Sequence, residues 1–166
     1  MKQIIILMLL AFGLKVQAQQ IIKADLVATG LTCSMCSNAI YKQLKSISSV
    51  DSVTVDLNTH QYTIYLNKAN TLSAKDFKIK VEKAGFFVGV LTLYFNVNAI
   101  EISDGKQLGN YVFINTKQLV LNGIVKAQVM DKGFITAKEY KKNQKAYNKY
   151  TTYANETDNI YHLKLM

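Results

Sequence analysis

The sequence predicts an α+β fold, because strand-like and helix-like apolar patterns alternate along its first half. Alternating apolar and polar residues, typical of half-buried strands, occupy residues 21–29, 53–57 and 62–66. Apolar residues at helical spacing follow residue 36 and again residue 73, and an aromatic, β-branched run covers residues 86–95. The predicted order is therefore strand, helix, strand, strand, helix, strand.

The first three strands and the first helix follow from simple patterns. The first strand carries its apolar side chains at alternate positions: Ile22, Ala24, Leu26 and Ala28. The first helix shows one apolar stripe: Ala39, Ile40, Leu44 and Ile47. The next two strands are joined by residues 58–61, Asn-Thr-His-Gln, which are typical of a hairpin loop.

The second helix has a recognisable beginning and end. Ser73 and Asp76 favour a helix start, and Gly85 stands where a C-terminal cap glycine belongs. The complete order is that of a ferredoxin-like βαββαβ domain with both helices on one face of an antiparallel sheet. In that arrangement three loops lie at the same end. Cys33, Cys36, His60 and the pair Gly85–Phe86 are therefore expected to be neighbours.

The only two cysteines, Cys33 and Cys36, lie at the predicted junction between the first strand and the first helix. A helix N-terminus favours negative charge and therefore thiolates. Thiolates are soft ligands that select Cu(I) and related cations over Mg²⁺ or Ca²⁺. The pair can hold one such ion in near-linear geometry, so Cys33 and Cys36 are the predicted metal ligands.

Two separated motifs on this element order resemble the heavy-metal-associated domain family. They are Gly-Leu-Thr-Cys-Ser-Met-Cys at residues 30–36 and Glu-Lys-Ala-Gly-Phe at residues 82–86. That family includes copper chaperones, metal-binding modules of copper-transporting ATPases and periplasmic mercury-binding proteins. The resemblance covers residues 21–95 and implies Cu(I), or Hg(II) on the same site, exchanged with a metal-donating or metal-accepting protein. Leu31 replaces the usual methionine and is expected to pack inward beneath the loop.

Other interpretations of the cysteine pair remain open. A structural zinc site requires four protein ligands, and only His60 and His162 are available besides the pair, which argues against structural zinc. A disulfide closing so short a loop stabilises by only about 2 kcal/mol. A dithiol oxidoreductase is a further alternative. The thioredoxin-like family, which also has a Cys-x-x-Cys pair at a helix start, has a cis-proline facing that pair, whereas this chain has no proline. Met35 is expected to face solvent, and His60 to be solvated more readily than to bind metal.

Residues 1–18 have the pattern of a secretory signal peptide, with Lys2, an apolar run and the cleavage site Val-Gln-Ala. Cleavage leaves residues 19–166 as an exported, periplasmic protein that does not span the membrane. The net charge then falls from +9 to +7. All 20 basic residues are lysines, and arginine, which supplies the bidentate fork for phosphate and guanine, is absent. The charge therefore indicates a solvated surface and no nucleic-acid partner.

Residues 96–166 exceed what the first domain, residues 19–95, requires. They predict a small β-rich domain with one helix over residues 137–154, and strands over 111–115, 118–130 and 160–165. Asn122 and Gly123 are expected to interrupt the middle strand. The tyrosines of the helix are expected to pack on the sheet with lysine stems around them.

General-base histidines, paired carboxylates and phosphate loops are not evident in the sequence, so no enzymatic activity is expected. An interaction module whose second domain carries the function stays an alternative.

Overall fold

The computed structural model describes residues 20–31 and 34–166, and of Ser34 it describes the backbone alone. The predicted signal peptide and Cys33 therefore lie outside the described residues. The remaining positions of the candidate site, including Cys36 and His60, lie inside them.

The first half of the chain has the predicted ferredoxin-like order. It comprises β1 (Ile21–Thr29), α1 (Ser34–Lys45), β2 (Val50–Asp56), β3 (Gln61–Leu66), α2 (Ala74–Lys83) and β4 (Phe87–Ile102). The second half adds β5 (Gln107–Leu108), β6 (Tyr111–Phe113), β7 (Leu119–Val129), α3 (Ala137–Tyr147), α4 (Thr151–Ala154) and β8 (Tyr161–Leu165). The βαββαβ prediction for the first half is confirmed.

All eight strands form one sheet in the order β2-β3-β1-β4-β7-β8-β6-β5. Neighbouring strands are antiparallel except for β6 and β8. Helix α1 packs against β2 and α2, and α2 packs against β4. The fully buried Leu26 of β1 lies between Tyr62 of β3 and Leu91 of β4, which places these side chains in the core between sheet and helices.

Strand β4 carries the sheet from the first half of the chain into the second. It is 16 residues long, and β7 pairs with it from Thr92 to Ile102. The predicted boundary between residues 95 and 96 falls inside this strand, and the division into two domains stays a prediction. The expected interruption at Gly123 is wrong, because β7 runs through it. Gly123 has a φ of +77° and pairs with β4 next to the irregularity of that strand at Ala99, whose own φ is +48°.

The prediction of one long helix near the C-terminus is wrong, because two helices occupy that segment. Helix α3 ends at Tyr147, with Asn148 as its C-cap, and Tyr150 has extended backbone before α4 begins. In this position the Tyr150 hydroxyl donates to Asp104 and accepts a hydrogen bond from the Asn115 N–H at 2.9 Å. These contacts tie the helix junction to two loops of the sheet.

The expected packing of the tyrosines is confirmed. Tyr147, Tyr150 and Tyr153 are buried and form a second apolar cluster with residues of β6 and of the chain after β7. The main core cluster runs through both halves of the sheet, from Ile21 to Leu163. Within the described part of the chain, every helix falls short of the length and apolar character needed to cross a bilayer.

Candidate metal centre

Helix α1 starts at Ser34, so Cys36 lies in its first turn. The Cys36 side chain is half-buried, whereas the neighbouring Met35 is 81 % exposed, as expected. The first-turn N–H groups of a helix carry partial positive charge, which favours a thiolate at this position. Cys33, the other predicted ligand, lies outside the described residues.

A buried tyrosine supports the first turn of α1 from below. Tyr62 of β3 is fully buried, and its hydroxyl donates a hydrogen bond to the Ser37 carbonyl at 3.2 Å. Burial raises the pKa of Tyr62, and the nearby negative charge of Cys36 adds to that rise. The Tyr62 hydroxyl therefore stays protonated while it donates to the first turn of α1.

The loop before the cysteines is closed on one side by an aromatic ring. Gly30 has a φ of +86°, and a Cβ built on it would lie 4.0 Å from Cδ1 of Phe86. The half-buried Leu31 packs against the main core, as expected from its volume. The ring of Phe86 and the side chain of Leu31 thus place apolar groups around the polypeptide that leads into Cys33.

The position of Phe86 follows from the end of helix α2. Gly85 has a φ of +87°, and its N–H donates to the Glu82 carbonyl at 2.9 Å. The Phe86 N–H donates to the Val81 carbonyl at 3.2 Å. These two bonds form a Schellman motif, which requires the left-handed backbone that glycine adopts without strain. The motif turns the chain so that Phe86 faces the Gly30 loop.

His60 lies at the same end of the sheet, as the topology predicts. Its carbonyl accepts a hydrogen bond from the Ala28 N–H at 3.4 Å, two residues before Gly30. The His60 backbone is left-handed, with a φ of +54°. Its Nδ1 is buried and has no hydrogen-bond partner among the described residues. The expectation of a simply solvated imidazole therefore does not hold for this nitrogen.

The second histidine belongs to another part of the fold. His162 of β8 is 1 % exposed, and its Nδ1 lies 2.6 Å from Oδ1 of Asp131. Its Nε2 lies 2.8 Å from Oγ1 of Thr152. Both ring nitrogens are thus engaged within the second half. Among the described residues no group of three or more His, Cys, Asp and Glu side chains has the arrangement of a metal site.

The sequence pattern did not predict the supporting role of Tyr62. In the sequence Tyr62 reads as one apolar position of an alternating strand, in phase with Ile64 and Leu66, and nothing there indicates that its hydroxyl bonds to a helix. The register of β1 and β3 decides this, because it places Tyr62 opposite Leu26 on the helix-covered face. Lys83, the last residue of α2, is exposed and has no ion pair among the described residues.

These features define a ferredoxin-like domain in which Cys36, the second cysteine of the Cys-x-x-Cys motif, lies in the first turn of the first helix. Residues 27–87 match the sequence model of the heavy-metal-associated domain. The chain therefore contains a heavy-metal-associated domain, and the resemblance stated from the motifs is confirmed over these residues. The match ends at the start of β4 and leaves the second half of the sheet outside it.

Segments of this chain are similar to several known proteins. A copper-exporting P-type ATPase of Staphylococcus saprophyticus is 40 % identical over 63 residues, which are 38 % of this chain and 8 % of that protein. The yeast copper transporter domain solved in the apo and Cu(I)-loaded states is 29 % identical, over 39 % of this chain and 88 % of that one, with a TM-score of 0.36. Oxidized MerP from Ralstonia metallidurans is 26 % identical, over 42 % of this chain and 92 % of that one, also with a TM-score of 0.36.

Proposed function

We propose that this protein is an exported carrier or scavenger of a soft metal ion, with Cu(I) as its cargo and Cys33 and Cys36 as its ligands. The observation that carries the proposal is the heavy-metal-associated match over residues 27–87, which contains both cysteines. The place of Cys36 in the first turn of α1, beside the buried Tyr62, is consistent with a thiolate ligand. The proposed role is binding and transfer, without enzymatic turnover.

Two thiolates leave the metal coordinatively open, so an incoming thiolate of a partner protein can attack it. Cu(I) accepts two or three soft ligands, and such exchange needs no further group from this chain. The exposed Met35 and the half-buried Phe86 flank the approach to the loop. We infer transfer to or from a metal-donating or metal-accepting protein in the periplasm, after cleavage of residues 1–18.

A Cu(I) titration tests the proposal. The mature chain is reduced, kept anaerobic and titrated with Cu(I) against a competing chromophoric chelator. We expect one Cu(I) per chain, and loss of that site in Cys33→Ser and in Cys36→Ser. Met35→Leu is the matched control, since it removes the sulfur between the two cysteines, and it should bind like the wild type. Retention of Cu(I) by the double cysteine variant would overturn the proposal.

Hg(II) on the same pair and a dithiol oxidoreductase are the alternatives. Competition between Cu(I) and Hg(II) for the reduced protein tests the Hg(II) alternative, because both ions need the same two thiolates. Turnover of a disulfide substrate by protein that holds no metal against the chelator would favour the second. The carrier proposal predicts no such turnover by the wild type.

A further inference from the structure

A cleft of about 310 Å³ lies between helix α2 and the chain that follows β7. Its size is at the lower end of small-molecule sites. One wall comes from α2, through Lys75 and Lys78, and the other from the segments around Phe134, Tyr140 and Tyr153. We call it the α2 cleft. It is distant in sequence from the cysteine loop and joins the two halves of the chain.

The far wall of the α2 cleft is aromatic. Phe134 and Tyr153 are buried, at 5 % and 2 % exposed, and Tyr140 is half-buried. Tyr140 and Tyr153 pack with their ring centroids 5.6 Å apart, and Phe134 meets Tyr161 edge-on at 5.8 Å. Rings held in this way form a rigid apolar surface for a flat ligand.

Three of the charged groups around the cleft, Asp131, Lys132 and Glu156, are already engaged by hydrogen bonds or an ion pair inside the protein. Both carboxylate oxygens of Asp131 accept bonds from His162, one from its backbone N–H and one at its ring Nδ1, each at 2.6 Å. Glu156 holds the Lys132 ammonium at 2.9 and 3.1 Å. The remaining lining charges are Lys75 and Lys78, opposed by the exposed carboxylate of Asp158.

Lys78 is held against the aromatic wall. Its Nζ lies 5.5 Å from the centroid of the Phe134 ring, and its ion pair with Glu82 is long, at 3.8 Å. A Cβ on Gly133 would lie 2.6 Å from the same Nζ, so the glycine leaves the space that this ammonium occupies. Lys75 stands one helical turn earlier on the same face of α2 and has no ion pair among the described residues.

We propose that the α2 cleft binds a small aromatic carboxylate. The carboxylate accepts hydrogen bonds from the ammonium groups of Lys75 and Lys78, and the ring packs on Phe134, Tyr140 and Tyr153. This site goes beyond metal binding and does not depend on the cysteine loop. Two charge-assisted bonds beside a buried aromatic wall favour an anion joined to a ring over a cation of the same shape.

Calorimetric titration of the full chain with phenylacetate tests the proposal. We expect one phenylacetate per chain, with amide shifts at Gly133 and Phe134 in a parallel NMR titration. Phenethylamine, which has a similar ring and the opposite charge, should bind at least about tenfold more weakly, because the two ammonium groups repel it. Absence of saturable phenylacetate binding to folded protein, or equal binding of the amine, would overturn the proposal.

Lysine variants identify the site within the protein. Lys75→Met and Lys78→Met, which replace only the ammonium end and keep an unbranched apolar stem, should each weaken phenylacetate binding by about tenfold, as expected for loss of one charge-assisted bond. Lys83→Met is the matched control on the same helix outside the cleft, and it should bind normally. Cys33→Ser with Cys36→Ser should also bind phenylacetate normally, so failure of the metal proposal and failure of this one are distinguishable. Equal affinity in all the lysine variants contradicts the assignment.

Discussion

The hydroxyl of Tyr62 donates a hydrogen bond to the carbonyl of Ser37, 3.2 Å away, and links β3 to the first turn of α1. Both groups are buried, since Tyr62 is fully covered and Ser37 is 3 % exposed. The bond crosses 25 positions of sequence and lies one residue beyond the candidate ligand Cys36. The start of the helix is thereby attached to the same strand that follows the His60 loop.

Tyr62→Phe should destabilise the protein by about 1 kcal/mol, because it removes a buried hydrogen bond while leaving the ring in place. Urea denaturation followed by circular dichroism measures the change. Tyr65→Phe is the matched control, since Tyr65 is a neighbouring β3 tyrosine that is 46 % exposed. Its unfolding midpoint should match the wild type. Equal loss in both variants would show that the Ser37 contact is not the cause.

Gly30→Ala should lower both stability and Cu(I) affinity. An alanine at a φ of +86° costs about 1 kcal/mol or more, and relief of this strain shifts the loop that leads to Cys33. Gly123→Ala is the control, because its φ of +77° carries similar strain in β7, far from the loop in the sheet. Thermal unfolding should show similar losses, whereas chelator competition should show weaker Cu(I) binding in Gly30→Ala alone.

His60→Asn should fold at least as well as the wild type. Asparagine tolerates the left-handed backbone at a φ of +54°, and the change removes a buried Nδ1 that has no partner among the described residues. His60→Val should lose about 1 kcal/mol or more, because a β-branched residue is strained at this φ. Thermal unfolding compares the two. If two thiolates suffice for the metal, His60→Asn still binds one Cu(I) per chain.

Asp104 should give the protein an acid-sensitive contribution to stability. Hydrogen bonds from Lys149 and Tyr150 lower the pKa of its carboxyl to about 2. The ordinary pKa in the unfolded chain is about 3.9, so this contribution is complete above that pH and is lost as the pH falls through about 2. The Lys149 pair is exposed and contributes little, so the bond from the buried Tyr150 is the main part.

Comparison of the wild type with Asp104→Asn measures this contribution. The variant should be less stable at pH 7, on the order of 1 kcal/mol from the weakened Tyr150 bond, and the gap should narrow as the pH approaches 2. Glu101→Gln is the control, because Glu101 is an exposed acid of the neighbouring strand. A gap that stays constant from pH 7 to pH 2 would contradict the assignment.

Local patterns in the sequence were sufficient for the order of the first six elements. The alternation at residues 21–29, the cap at Ser73 and the glycine at position 85 each act within a few residues, and each has the predicted structural effect. The place of Cys36 in the first turn of α1 follows from the same local signals. The motifs around it were specific enough to predict the family of the domain.

Contacts between distant parts of the chain did not follow from local pattern. The tyrosine segment reads as one continuous helix, yet the hydroxyl of Tyr150 reaches Asp104, 46 positions away, and the helix ends before it. The expected interruption at Gly123 fails for a similar reason. Its left-handed backbone is accommodated in the sheet opposite the irregularity of β4 at Ala99.

The sequence by itself determined the βαββαβ order, the cysteine pair at a strand-to-helix junction and the resemblance to heavy-metal-associated domains. Periodicity, capping and motif spacing are local properties, and they can be identified in the sequence without knowledge of the fold. Only the tertiary structure decided that β4 and β7 continue the sheet, that Tyr62 lies beneath Cys36, and that Lys78 faces Phe134 across a cleft. Each of these depends on strand register and side-chain packing between residues far apart in the chain, which no local pattern encodes.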